Sequence, residues 1–174
     1  NMNTSGDLEI FTKCSQLMDE GKYALALALA NSCQQPAYRA SILIDAGSAL
    51  GKSGKVREGA ALFEELLHSQ EAPEFTRSSL LYNAANGYYA IYSLRRRKRS
   101  SLVPPNDKDL RYAKRLYREA IDELSLVKDS FASQVFVNYG NCLSQLGRFA
   151  EAIECYYEAL IAEPTNGMAA GNLG

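Results

Sequence analysis

The sequence predicts an all-α protein: a superhelical solenoid of antiparallel helix pairs, with four complete pairs and the start of a fifth. Apolar residues follow the helical period, and no stretch alternates with a period of two over a useful length. Small residues recur at fixed offsets from a marker position, and 47 % of the 174 residues are hydrophobic, as in globular domains. One pair cannot bury its apolar face alone, so successive pairs are expected to stack. The markers are Cys14, Gly47, Ala85, Gly140 and Gly174, spaced by 33, 38, 55 and 34 residues.

The same offsets from the marker recur in successive pairs. A glycine follows seven residues after the marker in the first, second and fourth pairs, and a small residue follows twelve residues after it. In the third pair the small residue comes only after 28 residues, at Ala113. The predicted repeats are 7–39, 40–73, 78–128, 133–166 and a partial repeat at 167–174.

The fourth pair shows why small residues occupy these offsets. Two antiparallel helices approach closely only where their side chains are small, and Gly140 and Ala152 are predicted to supply that crossing. Gly147 is predicted to end the first helix, because glycine adopts the left-handed backbone conformation without strain.

The second helix of the fourth pair has one apolar face. Phe149, Tyr156 and Leu160 lie on this face and are predicted to fill the core between the two helices. Pro164 follows and is predicted to stop the helix before the next pair begins.

This pattern resembles the tetratricopeptide repeat (TPR) family, whose repeats of about 34 residues each form a helix–turn–helix. The resemblance covers nearly the whole chain and is most specific in the fourth pair. It implies that the first helix of each repeat lines a concave surface that holds extended peptides or helices. The residues of the fourth pair that suit the family pattern are Gly140, Gly147, Phe149, Ala152, Tyr156, Ala159, Leu160 and Pro164.

The family's groove positions can be carried over to this sequence. Among them only Asp19 and Lys52 are charged, which argues against the TPR domains that grip a C-terminal carboxylate with Lys and Arg. The groove residues that we predict to bind a partner are Phe11, Ser15, Ile44, Ser48, Tyr82, Asn83, Asn86, Tyr89, Asn138, Asn141 and Gln145.

Asparagines recur in the predicted groove. An amide offers both a donor and an acceptor, which suits a peptide backbone. We therefore predict that Asn86 and Asn141 bind a partner, and that changing both to Ala weakens binding while barely affecting folding, because neither is expected to face the inter-helix core. For Asn83 and Asn138 an alternative is that they tie adjacent repeats together.

The third pair contains sixteen extra residues between its helices, which fall within the stretch 93–109. One interpretation is a basic finger for nucleic acid or an acidic partner. The alternative is that residues 88–98 extend the first helix, with their charges in solvent. The basic residues are Arg95, Arg96, Arg97, Lys98 and Arg99.

The sequence shows no catalytic constellation. His68 is the only histidine, and the four cysteines form no CxxC pair. The net charge is −1, and the longest apolar run, Tyr23 to Ala30, is far too short to span a membrane. We expect no catalytic residue, no metal or other cofactor, no membrane contact and a cytoplasmic location.

These observations predict a protein- or peptide-binding TPR scaffold without catalytic activity of its own. The alternatives are RNA binding through the basic insertion, or a sensing or oligomerisation arm of a larger enzyme. The chain ends inside the fifth repeat, which predicts a fragment of a longer protein. Its ending, EPTNGMAAGNLG, resembles bacterial proteins in which a TPR array precedes a HEPN-type ribonuclease domain.

Overall fold

The computed structural model describes residues 4–69, 77–99, 106–124 and 129–174. Within these ranges the chain forms nine α-helices and no strand. The prediction of an all-α solenoid of four helix pairs and the start of a fifth is confirmed. The helices are α1 (Thr4–Asp19), α2 (Tyr23–Ala30), α3 (Pro36–Lys52), α4 (Val56–His68), α5 (Arg77–Arg99), α6 (Lys108–Leu124), α7 (Ser130–Gln145), α8 (Phe149–Ala162) and α9 (Gly167–Leu173).

The chain divides into two compact units, Asn1–Asn83 and Ala84–Gly174, with the boundary inside α5. In the first unit α1 packs on α2, α3 packs on α4, and α3 also contacts both helices of the preceding pair. In the second unit α7 packs on α8, and α6 and α9 flank that pair. Within the described ranges no helix is long and apolar enough to cross a membrane.

Glycines in the left-handed conformation end three of the first helices. Gly21, Gly54 and Gly147 have φ values of 75°, 92° and 77°, where a side chain would be strained. The third pair has Tyr92 at the corresponding position, seven residues after its marker. Without a glycine to stop it, α5 continues to Arg99, so the insertion begins as a helical extension.

The marker glycines allow the paired helices to approach closely. A Cβ atom at Gly140 would lie 2.7 Å from the ring of Tyr156, and one at Gly47 would lie 2.7 Å from the ring of Phe63. Both distances are shorter than van der Waals contact allows. The aromatic rings of α4 and α8 therefore occupy the space that a larger marker residue would need.

The core of the fourth pair differs from the prediction at one residue. Tyr156 is only 6 % exposed and Leu160 is half-buried, but Phe149 is 64 % exposed, so its predicted core position was wrong. Phe149 and Tyr156 are seven residues apart, about two helical turns, so they lie on nearly the same face of α8. Phe149, however, is the first residue of the helix, and its ring lines an open cleft instead of the core.

Candidate functional site

A tyrosine–asparagine hydrogen bond recurs in the third and fourth repeats. The Tyr117 hydroxyl on α6 donates to Asn86 Oδ1 on α5 at 2.5 Å. The Tyr156 hydroxyl on α8 donates to Asn141 Oδ1 on α7 at 2.8 Å. Each asparagine follows its marker by one residue. In both repeats the second helix therefore fixes an amide on the first helix.

The same two oxygens accept a second hydrogen bond from the next first helix. Asn138 Nδ2 donates to Asn86 Oδ1 at 3.1 Å, and Asn172 Nδ2 donates to Asn141 Oδ1 at 2.9 Å. Asn138 and Asn172 occupy equivalent positions, two residues before their markers. The result is a repeated ladder that joins α5 to α7 and α7 to α9.

The asparagine ladder revises two expectations. Asn86 and Asn141 accept hydrogen bonds from their paired helices, so the expectation that neither side chain faces that side was wrong. The effect of their loss on folding stays a prediction. Asn138 makes the kind of inter-repeat bond that the alternative described. Asn83 instead donates to the Ser79 carbonyl oxygen of its own helix at 2.8 Å.

Gln145 is held in a similar way at the end of α7. Its Oε1 accepts from the Tyr92 hydroxyl at 3.4 Å and from Arg96 Nη1. Both donors lie on the part of α5 that belongs to the second unit. One turn separates Gln145 from Asn141 on α7, so the two amides lie on the same face of the helix.

Tyr89 and Tyr156, near this face, remain protonated at neutral pH. Burial raises the pKa of Tyr156 above its ordinary value. Burial also raises the pKa of Tyr89, and nearby thiol and phenol groups raise it further. The Tyr156 hydroxyl therefore keeps its proton and continues to donate to Asn141.

A cleft of about 370 Å³ opens beside these amides. Its wall combines aromatic rings, amides and a hydroxyl, which is a surface suited to a polar segment with some apolar contact area. The lining residues are Tyr89, Asn141, Ser144, Gln145, Phe149, Ala152, Ile153, Tyr156 and Asn172.

All eleven predicted groove residues are half-buried, so each has some surface available. Tyr89, Asn141 and Gln145 line the same cleft, and Asn86 is linked to Asn138 by a hydrogen bond. The other six lie in the first unit. These are Phe11, Ser15, Ile44, Ser48, Tyr82 and Asn83.

The first unit has no tyrosine–asparagine pair of this kind at the equivalent positions. Ser15 and Ser48 stand where the later repeats have asparagine, and Ala30 and Phe63 stand where they have tyrosine. The fixed amides are thus a property of the second unit.

Arg95, the first residue of the predicted basic contact, is held by two carboxylates. Its Nη2 lies 2.6 Å from Asp107 Oδ1 and 2.8 Å from Asp109 Oδ2. Asp109 is only 5 % exposed, and Asp107 caps α6 by accepting from the Asp109 backbone N–H at 2.9 Å. Arg95 therefore connects α5 to the start of α6, and its charge is neutralised locally.

The rest of the basic run is more accessible. Arg96, Arg97 and Lys98 are exposed on the last turns of α5. Arg99 ends the helix, but its side chain and residues 100–105 lie outside what the structure describes.

The thiols are poorly suited to chemistry. Burial raises the pKa of Cys142 and of Cys155 to about 12, so neither forms a reactive thiolate near neutral pH. In the described ranges no group of three or more His, Cys, Asp or Glu side chains could hold a metal ion.

Sequence reasoning missed Tyr117, Tyr156 and Asn172 as parts of the site. A signal for the two tyrosines was present. Tyr156 follows Gly140 by 16 residues, and Tyr117 follows Ala85 by 32, which is 16 after the sixteen inserted residues are subtracted. A tyrosine and an asparagine thus recur together at fixed offsets from the marker.

Comparison with known sequences identifies one repeat. Residues 133–166 match the tetratricopeptide repeat family. No curated protein sequence matches the chain.

Solved structures share the fold at low sequence identity. The first TPR of Spaghetti (RPAP3), bound to the HSP90 peptide SRMEEVD, has a TM-score of 0.59 and 19 % identity, covering 77 % of this chain and 86 % of that chain. MamA residues 41 to the end, from Desulfovibrio magneticus RS-1, has a TM-score of 0.67 and 12 % identity, covering 96 % and 81 %. Another MamA crystal structure has a TM-score of 0.65 and 13 % identity, covering 92 % and 80 %. The resemblance to TPR proteins is confirmed.

Proposed function

Because residues 133–166 are a tetratricopeptide repeat and the fold is that of TPR proteins, we propose that this chain binds a protein or peptide segment. The cleft of the second unit is the proposed site. The observation that carries the proposal is the pair of amides, Asn141 and Gln145, held in fixed orientations beside an open cleft. Preorganised groups bind a partner without the entropic cost of being ordered first.

The composition of the cleft supports a peptide partner. Tyr89 and Tyr156 supply aromatic contact area, and the amides supply hydrogen bonds to a backbone. The first TPR of Spaghetti was solved with a peptide bound, which supports the same class of partner here. We expect a segment that is mostly uncharged or mildly polar.

We further propose that the chain has no catalytic activity of its own and acts in the cytoplasm. The high thiol pKa values of Cys142 and Cys155 agree with the absence of a nucleophilic role for these two residues. A role as the sensing or oligomerisation arm of a larger enzyme stays a prediction.

A blocking substitution tests the site. Ser144 lines the cleft, so Ser144→Trp places a large ring in a space of about 370 Å³. The probe is a peptide selected from a random 12-residue library for binding to the full chain. We expect Ser144→Trp to lower its affinity at least about tenfold, because a blocked site loses its aromatic and hydrogen-bond contacts.

Ser32→Trp is the matched control, since Ser32 is exposed in the first unit. It should bind the peptide like the wild type. Equal affinity of both variants would place the binding surface elsewhere on the chain.

RNA binding through the insertion is the second candidate. Its support is the exposed stretch Arg96, Arg97 and Lys98 at the end of α5. The pairing of Arg95 with Asp107 and Asp109 removes one charge from this surface. We therefore expect weaker attraction for phosphate than five unpaired charges would provide.

A further inference from the structure

The oxygens of the two cleft amides on α7 are already occupied. Asn141 Oδ1 accepts from Tyr156 and Asn172, and Gln145 Oε1 accepts from Tyr92 and Arg96. An amide oxygen has two lone pairs, so two donors saturate it. What each amide can still offer a ligand is its NH₂ group.

From this we propose that Asn141 and Gln145 act as donors only, and that they bind backbone carbonyl oxygens of an extended peptide. The inference rests on the proposed function and specifies the partner. It replaces the expectation that a groove amide pairs with both the N–H and the C=O of a ligand. The same arrangement at Asn86, whose Oδ1 accepts from Tyr117 and Asn138, shows that it is a repeated device.

The spacing of the two donors favours an extended chain. Residues four apart on a helix have Cβ atoms about 5–6 Å apart. In an extended strand each residue advances about 3.3 Å, so carbonyls that point to the same side recur about every 6.6 Å. Asn141 and Gln145 can therefore each reach one carbonyl, and the two carbonyls belong to residues i and i+2.

A helical partner does not satisfy these donors. The carbonyl oxygens inside an α-helix are already bonded to amides four residues on, and they point along the helix axis. An extended segment has free carbonyls on both sides.

Nucleic acid is also rich in acceptors, but the surroundings disfavour it. None of the residues that line the cleft is a lysine or arginine. The cleft wall therefore has no cation to neutralise phosphate, whereas a neutral peptide backbone needs none. The observations therefore favour peptide over RNA.

The decisive variant is Asn141→Asp. It retains the side-chain oxygen of Asn141 and replaces the NH₂ group with a second oxygen. The retained oxygen still accepts from Tyr156 and Asn172, so the fold should remain intact. The donor to the ligand is lost, and a negative charge faces its carbonyl. We expect the affinity for the library-selected peptide to fall at least about tenfold, with a melting temperature within about 2 °C of the wild type.

Asn31→Asp is the matched control. Asn31 Oδ1 accepts from Arg39 in the first unit, so this change adds the same charge and also retains an internal hydrogen bond. It should leave peptide affinity unchanged. Gln145→Glu should behave like Asn141→Asp, because it makes the same exchange at the second donor.

The spacing of the two contacted carbonyls can be tested by a thioamide scan of the same peptide, in which each backbone carbonyl oxygen is replaced in turn by sulfur. Sulfur is a weaker acceptor than oxygen, so affinity should drop at two positions that are two residues apart. Asn141→Asp should remove the sensitivity at one of them.

The outcomes separate the inference from the proposed function. Peptide binding that Asn141→Asp does not weaken, or a scan without the paired positions, overturns the donor inference and leaves peptide binding standing. If no library peptide binds the wild type, the proposed function and the inference both fail. A salt-sensitive preference for single-stranded polyuridine RNA over peptide also overturns both.

Discussion

The hydroxyl of Tyr156 determines which end of the Asn141 amide faces the cleft. It donates to Asn141 Oδ1 from within the core, where the ring is only 6 % exposed. Burial raises its pKa, so the hydroxyl stays a donor at neutral pH. One buried side chain thus contributes both to the packing of α8 on α7 and to the polarity of the cleft.

Tyr156→Phe isolates the effect of this hydroxyl. The ring still fills the space beside Gly140, but one hydrogen bond is lost. The free energy of unfolding should therefore fall by about 0.5–1.5 kcal/mol. Peptide affinity should fall as well, because Asn141 loses one of the two donors that orient it. Urea denaturation and peptide titration measure the two effects.

Tyr157→Phe is the control for this prediction, since Tyr157 is 57 % exposed on the same helix and does not line the cleft. It should change the free energy of unfolding by only a few tenths of a kcal/mol. Equal effects of the two substitutions would show that the Tyr156 hydroxyl does not contribute through Asn141.

At the level of elements, α5 is the helix that departs from the repeat. It runs from Arg77 to Arg99 because Tyr92 replaces the glycine that ends the other first helices. Arg95 then joins this extension to α6 through Asp107 and Asp109. The insertion is therefore anchored at its helical ends by an ion-paired cluster.

Removing Arg95 should show how much this anchor contributes. Arg95→Ala leaves the buried Asp109 carboxylate without its ion pair, although the Arg95 side chain is 32 % exposed, so solvent screens part of the interaction. We expect a loss of roughly 2 kcal/mol in the free energy of unfolding, between the values for exposed and buried pairs.

Arg97→Ala is the matched control, because Arg97 is exposed on the same helix. Its free energy of unfolding, measured by urea denaturation, should match that of the wild type within about 0.5 kcal/mol. If Arg95→Ala were equally mild, the cluster would not stabilise the insertion.

At the scale of the whole molecule, the fold followed from local signals. The glycines at 21, 54 and 147 marked three helix ends, and the absence of a glycine at Tyr92 could have predicted the long α5. Phe149 was placed in the core because it shares one helical face with Tyr156 and Leu160. It is the first residue of α8, and the sequence pattern of a helix does not show whether neighbouring elements cover its end.

The candidate site was predictable only in part. Repeat offsets indicated that Asn141 and Gln145 would lie on the groove side, and both line the cleft. Their roles as donors were not predictable, because saturation of the oxygens depends on Tyr156, Asn172 and Arg96, which are distant in sequence. Such contacts depend on how helices pack within the second unit.

The side-chain amide resonances of Asn141 and Gln145 test the central claim most directly. In a ¹⁵N-labelled full chain, titration with the library-selected peptide should shift both NH₂ signals, while the NH₂ signal of Asn31 in the first unit stays in place. This result would mean that the peptide contacts the two donors of the cleft. A peptide that binds and shifts Asn31 or the Arg96–Lys98 backbone, but neither cleft amide, would contradict the account.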